Sequence, residues 1–352
     1  MARSCSRSWK TVATLVASTI LASNAASAGC LRGINLAGAE FGDADGVYGK
    51  DYIYPSDATI SYFAGKGFNA VRLPFRWEHL QPHLGKAFDK AEHTRLTDAI
   101  ARLKGAGLTV ILDVHNYARY RGQLIGSEAV PNAAFADLWK RLASEYRNDP
   151  AVQFGLMNEP YDVAATQWLS AANAAISAIR QARADNLILV PGTNWTGAHS
   201  WLSDDPERAN GTVMLGIEDS ANNYAYEVHQ YLDSDFSGTN ETCSRAADAL
   251  TALKDVTGWL QKNGKRGFLG EFGGAPNKVC MDGITAMADF VGKNPDTWTG
   301  WTYWAGGDWW PESEDLNIQP TKAGDRPQLR ALEAAGVIPA AKGSCPALEK
   351  KR

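Results

Sequence analysis

The sequence predicts a single (β/α)8 TIM barrel, an α/β fold whose active site lies at the C-terminal ends of the strands. Short apolar runs recur along the chain, helical patterns lie between most of them, and polar or aromatic residues stand where the runs end. Alternation of strands and helices is typical of a parallel sheet. Eight runs are candidate strands: Leu31–Leu36, Phe68–Leu73, Leu108–Val114, Val152–Met157, Leu187–Val190, Tyr226–Tyr231, Gly267–Gly270 and Thr299–Trp304.

Helical periodicity is clearest in three of the intervening segments. Leu96–Lys104 carries apolar residues on one face, and two glycines follow it. Phe135–Tyr146 and the alanine-rich segment Trp168–Arg183 also carry an apolar stripe. For the sixth strand there is an alternative, because Val213–Ile217 is also apolar and competes with Tyr226–Tyr231 for that place.

Residues 1–28 predict a secretory signal peptide. Three basic residues precede the apolar stretch Thr11–Ala22, which is too short to span a bilayer, and Ala26-Ser27-Ala28 is a small-residue cleavage site. No later segment is long and apolar enough to cross a membrane. Residues 29–352 are therefore expected to form one secreted catalytic domain.

The charge balance excludes one class of partner. The 352 residues carry a formal net charge of −4, and loss of the signal peptide removes three positive charges and no negative one. A basic face for nucleic acid is absent from such a chain, so we expect no nucleic-acid partner. A neutral substrate needs no electrostatic attraction to reach the protein, so a mildly acidic protein is suited to one.

The four cysteines after the signal peptide predict two disulfides. An even number of cysteines in an exported chain favours pairing, although the sequence permits three pairings. We favour Cys30–Cys345, which would tie the two ends, and Cys243–Cys280, which would brace two loops. Two alternatives stay open: free buried thiols, and a lipid-bearing Cys30.

Unusual residues stand at the ends of successive predicted strands. Any one of them has a plain structural explanation, such as a surface ion pair or a solvated carboxylate, but their coincidence at the expected active-site face favours function. On the sixth strand, His229 and Tyr231 are two residues apart and should face the same side. The set comprises Arg72, His115, Asn158, Glu159, His229, Tyr231, Glu271 and Trp304.

Two glutamates in this set predict the chemistry. Glu159 lies in Asn158-Glu-Pro160 and Glu271 in Gly270-Glu-Phe-Gly-Gly274, each where an apolar run gives way to turn-forming residues. Two carboxyls that face one cleft are the minimum equipment for cleaving a glycosidic bond, one as acid and the other as nucleophile or base. The histidines show no metal-ligand spacing, so we expect neither a metal nor another cofactor.

Three segments resemble glycoside hydrolase family five, the cellulase family, and in particular the secreted endo-β-1,4-glucanases that fungi and bacteria share. The segments are Asp113-Val-His-Asn-Tyr-Ala-Arg119, Phe154-Gly-Leu-Met-Asn-Glu-Pro160 and Val228-His-Gln-Tyr-Leu-Asp-Ser-Asp235. The resemblance covers essentially the whole chain after residue 28. One departure is Gly270-Glu-Phe, because the fungal branch is expected to have threonine on both sides of the glutamate.

The resemblance implies a role for each matching residue. Glu159 would be the general acid/base and Glu271 the nucleophile. Arg72 would hold Glu271 ionised, Tyr231 would donate a hydrogen bond to it, and His229 would lie between the two glutamates. The remaining residues would contact the sugar at the cleavage point: Asn158 at its 2-hydroxyl, His115 beside it, and Trp304 as its stacking platform.

The twelve tryptophans suggest a polysaccharide groove, because sugars stack their C–H faces on flat rings. Trp195, Trp309 and Trp310 follow predicted strands and are subsite candidates. Trp77, Trp201 and Trp301 are further aromatic candidates, whereas the helical positions Trp139, Trp168 and Trp259 are expected in the core.

The predicted function is a secreted, monomeric endo-β-1,4-glucanase that acts on a β-glucan with retention of anomeric configuration. The first alternative is the same chemistry on another β-glycan: mannan, xyloglucan or mixed-linkage glucan. A non-catalytic glycan-binding barrel is the second, although such a protein would typically have lost one of the two carboxylates.

Overall fold

The computed structural model describes residue 1 and residues 29–339 and 343–349, so the predicted signal peptide lies outside the described residues apart from Met1. Within this part of the chain, eight parallel strands close into a barrel in sequence order, which confirms the predicted (β/α)8 fold. The strands are β1 Leu31–Leu36, β2 Ala70–Phe75, β3 Thr109–Val114, β4 Val152–Gly155, β5 Ile188–Pro191, β6 Tyr224–His229, β7 Gly267–Glu271 and β8 Trp298–Gly306.

Helices connect these strands and cover the barrel. Those of eight residues or more in the described ranges are α1 Asp57–Gly65, α3 Lys90–Gly105, α4 Asn132–Tyr146, α5 Ala165–Gln181, α7 Ala246–Lys262, α8 Lys278–Gly292 and α9 Pro327–Ala334. The one-turn helices are α2 Trp77–Leu80, α6 Asn210–Val213 and α10 Pro346–Glu349. The competing run Val213–Ile217 belongs to α6 and a following 3₁₀ turn, Met214–Gly216, so it is not a strand.

Helix boundaries follow from local chemistry as well as from the apolar stripes. The side chains of Ser56, Asp89 and Asn277 accept hydrogen bonds from the first turns of α1, α3 and α8, which satisfies backbone N–H groups that have no partner within the helix. No helix in the described part of the chain is long and apolar enough to cross a membrane.

The barrel interior changes from apolar to charged along the strands. Ala70, Ile111 and Ala225 belong to a small buried apolar cluster that is separate from the main core between strands and helices. Because side chains alternate along a strand, the residues two positions further on point to the same side. These residues are Arg72, Asp113 and Glu227, all fully buried. The interior therefore has a charged layer directly below the C-terminal ends of the strands.

Both favoured disulfides are present, Cys30–Cys345 and Cys243–Cys280. Cys30 directly precedes β1, and the sulfur of Cys345 lies 3.8 Å from the carbonyl oxygen of Trp298 at the start of β8. The first bond therefore ties the chain ends at the end of the barrel opposite the charged layer. The second does not join two loops, because Cys280 lies in the first turn of α8.

Loss of the Cys30–Cys345 bond is expected to lower stability without changing the chemistry. This bond spans 315 residues and the other spans 37. Because a bond that closes a longer loop restricts the unfolded chain more, the first should contribute more to the free energy of unfolding, about 2–4 kcal/mol or more. In Cys30→Ser/Cys345→Ser, urea unfolding should show this loss, while kcat/KM at low temperature should stay unchanged. Cys243→Ser/Cys280→Ser is the comparison and should lose less. An unchanged unfolding midpoint in the first variant contradicts the argument.

Most of the tryptophans are structural. Trp139 and Trp168 are buried on helices as expected, and Trp259 is half-buried on α7 with its indole nitrogen donating to the carbonyl of Gly211. Trp77, Trp201 and Trp301 are also buried in the main core, so they do not line a groove.

Candidate active site

The two glutamates converge at the C-terminal end of the barrel. Glu271 is the last residue of β7. Glu159 lies four residues beyond the end of β4, not at the strand end itself, and has a φ of 39°, a left-handed conformation that is unfavourable for a side chain-bearing residue. Its neighbour Asn158 fixes this turn to β3, because the Asn158 N–H donates to the carbonyl of Val114 at 2.8 Å.

The separation of the two carboxyls is short. A carboxylate oxygen of Glu159, a ring nitrogen of His229 and a carboxylate oxygen of Glu271 all lie within 4.8 Å of one another. His229 Nδ1 is 2.7 Å from Glu159 Oε1 and 3.5 Å from Glu271 Oε2, so the imidazole lies between the pair. Carboxyls about 5 Å apart leave no room for a water molecule between one of them and the sugar, and they favour direct nucleophilic attack.

Glu271 is held by two donors. Arg72 Nη1 lies 3.0 Å from its Oε1, and the Tyr231 hydroxyl donates to its Oε2 at 2.7 Å. Arg72 is the third residue of β2, inside the barrel, and does not close that strand as the sequence suggests. Tyr231 lies two residues beyond the end of β6 and still reaches Glu271. Both contacts stabilise the ionised carboxylate.

Arg72 is the centre of a buried ionic cluster. Its side chain is fully buried and contacts Asp113 at 3.1 Å and Glu227 at 2.9 Å in addition to Glu271. Its Nη2 also donates to Asn158 Oδ1 at 2.8 Å. Burial alone would lower the pKa of this guanidinium, but the three carboxylates outweigh burial and raise it, so Arg72 is a permanent cation.

Both histidines of the site are also biased toward the cationic form. Burial opposes this for each ring, but neighbouring carboxylates outweigh it. Glu271, Glu159 and Glu227 raise the pKa of His229 to about 10. Asp113, whose Oδ2 is 2.7 Å from His115 Nδ1, raises the pKa of His115 above its usual value.

The environment of Glu159 favours its protonated form. Burial first, and then the negative charge of Glu271, raise the pKa of the Glu159 carboxyl, although the hydrogen bond from His229 lowers it. Its side chain keeps 16% exposure, compared with 5% for Glu271. An acid with a raised pKa beside an ionised carboxylate is the arrangement that divides two carboxyls into a proton donor and a nucleophile.

Glu159, His229 and Glu271 are also of the residue types that bind metals. Glu159 Oε1, both ring nitrogens of His229 and both carboxylate oxygens of Glu271 already have partners within the site, and the cationic guanidinium of Arg72 is in direct contact with Glu271. His229 with a pKa of about 10 is protonated near neutral pH, whereas a metal needs the neutral ring. The trio is therefore better suited to acid–base chemistry than to holding a cation.

Aromatic rings lie on two sides of the carboxyl pair. Trp304, in β8, is partly exposed; its ring is stacked on His115 at 5.5 Å and meets Trp310 edge-on at 5.8 Å. Across the barrel, after β5, Trp195 is 46% exposed and stacks on Tyr161 with the ring centroids 5.0 Å apart. Trp309 is 37% exposed in the loop after β8.

Sequence reasoning missed the charged residues beneath the site. Asp113 contacts Arg72 and His115, and Glu227 contacts Arg72 and His229. Both lie inside predicted strands, where a single carboxylate does not by itself indicate a functional site. Their spacing was a usable signal, because each lies two residues before a histidine on the same face of a strand. Tyr161, which supports Trp195, was also missed, and only its position directly after Glu159-Pro160 could have indicated it.

The comparisons with known proteins agree with this geometry. Residues 23–307 match the family Cellulase (glycosyl hydrolase family 5). An endo-β-1,4-glucanase B of Aspergillus niger is 39% identical over 280 residues, which cover 79% of this chain and 82% of that protein. A solved structure of XacCel5A in complex with cellopentaose is 45% identical with a TM-score of 0.85, and covers 87% of this chain and 99% of that one.

A second bacterial structure gives the same result. The endo-β-1,4-glucanase Xac0029 from Xanthomonas axonopodis pv. citri is 46% identical with a TM-score of 0.85, and the match covers 88% of this chain and 99% of that one. Barrel, carboxyl pair and sequence therefore lead to one conclusion: the chain belongs to the cellulase family, glycosyl hydrolase family 5, and is a glycoside hydrolase.

Proposed function

We propose that this protein is a secreted endo-β-1,4-glucanase that cleaves internal bonds of a β-1,4-glucan by a retaining double displacement. The observation that carries the mechanism is the carboxyl pair, whose oxygens lie within 4.8 Å across His229. In this proposal Glu159 is the general acid/base and Glu271 is the nucleophile. The relatives named endo-β-1,4-glucanase and the neighbour bound to cellopentaose support the choice of a glucan.

In the first step, Glu271 attacks the anomeric carbon while Glu159 gives its proton to the departing glycosidic oxygen. The bond from the Glu271 oxygen to the anomeric carbon forms, and the bond to the leaving sugar breaks. In the second step, Glu159 takes a proton from water, the water oxygen attacks the anomeric carbon, and the ester to Glu271 breaks. Two inversions give net retention.

The ionic cluster explains why one carboxyl keeps a proton and the other does not. Arg72 and His229 lie among the carboxyl groups of Asp113, Glu227 and Glu271. Burial and the negative charge of Glu271 both disfavour a further ionised carboxylate at Glu159. The proton is therefore best placed on Glu159.

The other residues are proposed to bind the reacting sugar. Arg72 fixes the oxygen of the Asn158 amide, which leaves the amide nitrogen to donate to the 2-hydroxyl. His115 is oriented by Asp113 and is in contact with the ring of Trp304, so both can reach one sugar. Trp195, which follows β5, and Trp309 and Trp310, which follow β8, are proposed as outer subsites for a long chain.

We also infer that the enzyme acts as a monomer outside the cell and without a cofactor. Two disulfides support an oxidising destination, because such bonds persist in exported proteins. The proposed mechanism uses protein carboxyls alone for proton transfer and attack.

The substrate is tested by comparing initial rates on carboxymethylcellulose, lichenan and mannan, with viscosity measured alongside reducing ends. The proposal predicts activity on carboxymethylcellulose and a fall in viscosity that runs ahead of reducing-end release, because internal cleavage shortens chains quickly. A strong preference for mannan would mean that the enzyme uses the same chemistry on a different β-glycan. No hydrolysis of any of the three by folded protein would favour a non-catalytic glycan-binding barrel.

Trp304→Ala is expected to lower kcat/KM on cello-oligosaccharides. The corresponding loss of transition-state stabilisation is about 2–4 kcal/mol, on the scale of truncating an aromatic anchor. The change removes a flat face from the cleft but no charge and no proton donor. The pH profile should therefore keep its shape, since the substitution leaves both catalytic carboxyls in place.

Trp139→Ala is the control for this experiment. Trp139 is fully buried in α4, so its loss should lower stability and leave the kinetics of the folded fraction unchanged. Unchanged kcat/KM in Trp304→Ala would mean that Trp304 only packs, and that Trp309 or Trp310 provides the platform.

A further inference from the structure

Glu227 is a buried carboxylate to which the mechanism above gives no step of its own. It lies on β6, two residues before His229, and its side chain is fully buried. Its Oε1 is 2.9 Å from Arg72 Nε and 3.4 Å from His229 Nε2, and its Oε2 has no hydrogen-bond partner among the described residues. Burying a charge is costly unless it is paired, so these two cations account for its presence.

The backbone opposite Glu227 leaves space for this contact. A Cβ atom at Gly270 would lie 2.2 Å from Glu227 Oε1 and 2.8 Å from His229 Nε2. A side chain at 270 would thus need the carboxylate and the imidazole to shift. The departure at Gly270 therefore adjoins the Glu227–His229 contact, not only the nucleophile that follows it in sequence.

An ionised carboxylate can only accept hydrogen bonds, so the side of His229 that faces Glu227 must be a donor. If the other ring nitrogen, Nδ1, also carries a proton, it donates to Glu159 Oε1, from which it is 2.7 Å away. The proton of Glu159 must then be on Oε2. In a neutral ring with its proton on Nε2, Nδ1 would instead accept from Glu159 and draw that proton away from the substrate.

We propose that Glu227 is a positioning residue for the acid step: it keeps both ring nitrogens of His229 protonated, so that His229 donates to Glu159 Oε1 and confines the transferable proton to Oε2. The inference rests on the proposed role of Glu159. Other charged groups also act on His229, directly or through the ionic cluster. They are Arg72 on β2, Asp113 on β3, His115 just after β3, Glu159 after β4 and Glu271 on β7.

The first measurement is the protonation of His229 in wild-type enzyme and in Glu227→Gln, by nitrogen-15 NMR of the imidazoles. The chain has six histidines, and loss of one signal set in His229→Ala assigns the resonances. Wild-type His229 should stay doubly protonated at pH 8, and in Glu227→Gln it should lose a proton at a pH at least about one unit lower, since one adjacent negative charge is gone. A neutral His229 in wild-type enzyme at pH 8 would overturn the proposal even if the variant failed to fold.

The second measurement separates positioning from packing by the leaving group. Glu227→Gln should lose at least about tenfold in kcat/KM on cellotetraose, a fraction of the effect of general acid catalysis. It should lose less than about threefold on 2,4-dinitrophenyl β-cellobioside, whose leaving group needs no proton. Equal losses on the two substrates, or an unshifted His229 titration, would reduce Glu227 to a structural role.

Glu92→Gln is the matched control. Glu92 is another buried carboxylate; it accepts from the hydroxyls of Tyr52 and Tyr54 at 2.7 and 2.8 Å, and pairs with Arg95, away from the active site. Its variant should lose stability but keep the wild-type His229 titration and the wild-type ratio of rates on the two substrates. Because the NMR result does not depend on turnover, it can fail while the assignments of Glu159 and Glu271 stand.

Discussion

Glu271→Gln is expected to reduce kcat on every glycan substrate by four orders of magnitude or more, on the scale of removing a nucleophile that acts as part of a unit. The amide keeps the shape of the side chain but cannot form the glycosyl ester. It also leaves Arg72 with one carboxylate partner fewer. Stopped assays at high enzyme concentration, with folding checked by circular dichroism, measure the loss.

Cellotetraose binding gives the control for Glu271→Gln. The variant should bind this oligosaccharide with an affinity near that of the wild type, because the aromatic platforms and Asn158 are untouched. Activity within tenfold of wild type would remove Glu271 from the role of nucleophile.

Glu159→Ala is expected to show an effect that depends on the leaving group. Cello-oligosaccharides, which leave as poor alkoxides, should lose about 10²–10⁴-fold or more in kcat/KM, the contribution of a general acid. Activated aryl cellobiosides should still form the glycosyl-enzyme, because their leaving groups need no proton. Hydrolysis of that intermediate should then be slow, since the base that activates water is gone.

Azide distinguishes this interpretation of Glu159 from simple damage to the site. Azide is a nucleophile that needs no general base, and the vacated space beside His229 can admit it. Turnover of an aryl cellobioside by Glu159→Ala should rise with azide and give the β-cellobiosyl azide. No rescue, or equal losses on good and poor leaving groups, would contradict the assignment of Glu159 as acid/base.

The fold was predictable because barrel strands carry their signal locally. Leu31–Leu36 agrees with β1 at both ends, and the other strands agree within about two residues. Strands buried on both faces are continuous apolar runs, which sequence reveals directly. The competition between Tyr226–Tyr231 and Val213–Ile217 has the same origin, because a short apolar run does not distinguish a strand from a helical turn. The strand lies at Tyr224–His229, as the favoured run predicts.

The catalytic candidates were nominated because they stand at or shortly after strand ends, whereas of the charged residues inside the barrel only Arg72 was nominated. Glu159 and Glu271 follow apolar runs, so their position indicated function before any contact was known. Asp113 and Glu227 lie within strands, and their importance comes from contacts with Arg72 that join three different strands. Such contacts depend on barrel closure and register, which no local pattern contains.

The tryptophans show the same limit. Trp77 and Trp201 follow strands or loops as Trp195 does, yet they are fully buried while Trp195 is 46% exposed. Exposure depends on which helix covers each ring, and this is decided by tertiary packing, not by the neighbouring residues. Sequence favoured Trp195, Trp309 and Trp310 from their position after predicted strands, and the exposure of Trp195 and Trp309 agrees with that choice.

In the proposed mechanism Glu271 forms a covalent bond to the sugar while Glu159 transfers the proton. Mass spectrometry of the enzyme after incubation with 2,4-dinitrophenyl 2-deoxy-2-fluoro-β-cellobioside tests it most directly, because the fluorine slows release of the glycosyl-enzyme more than its formation. We expect one added fluorocellobiosyl group, located by peptide mapping on Glu271. Rapid turnover without any adduct, or an adduct on another residue, would contradict it.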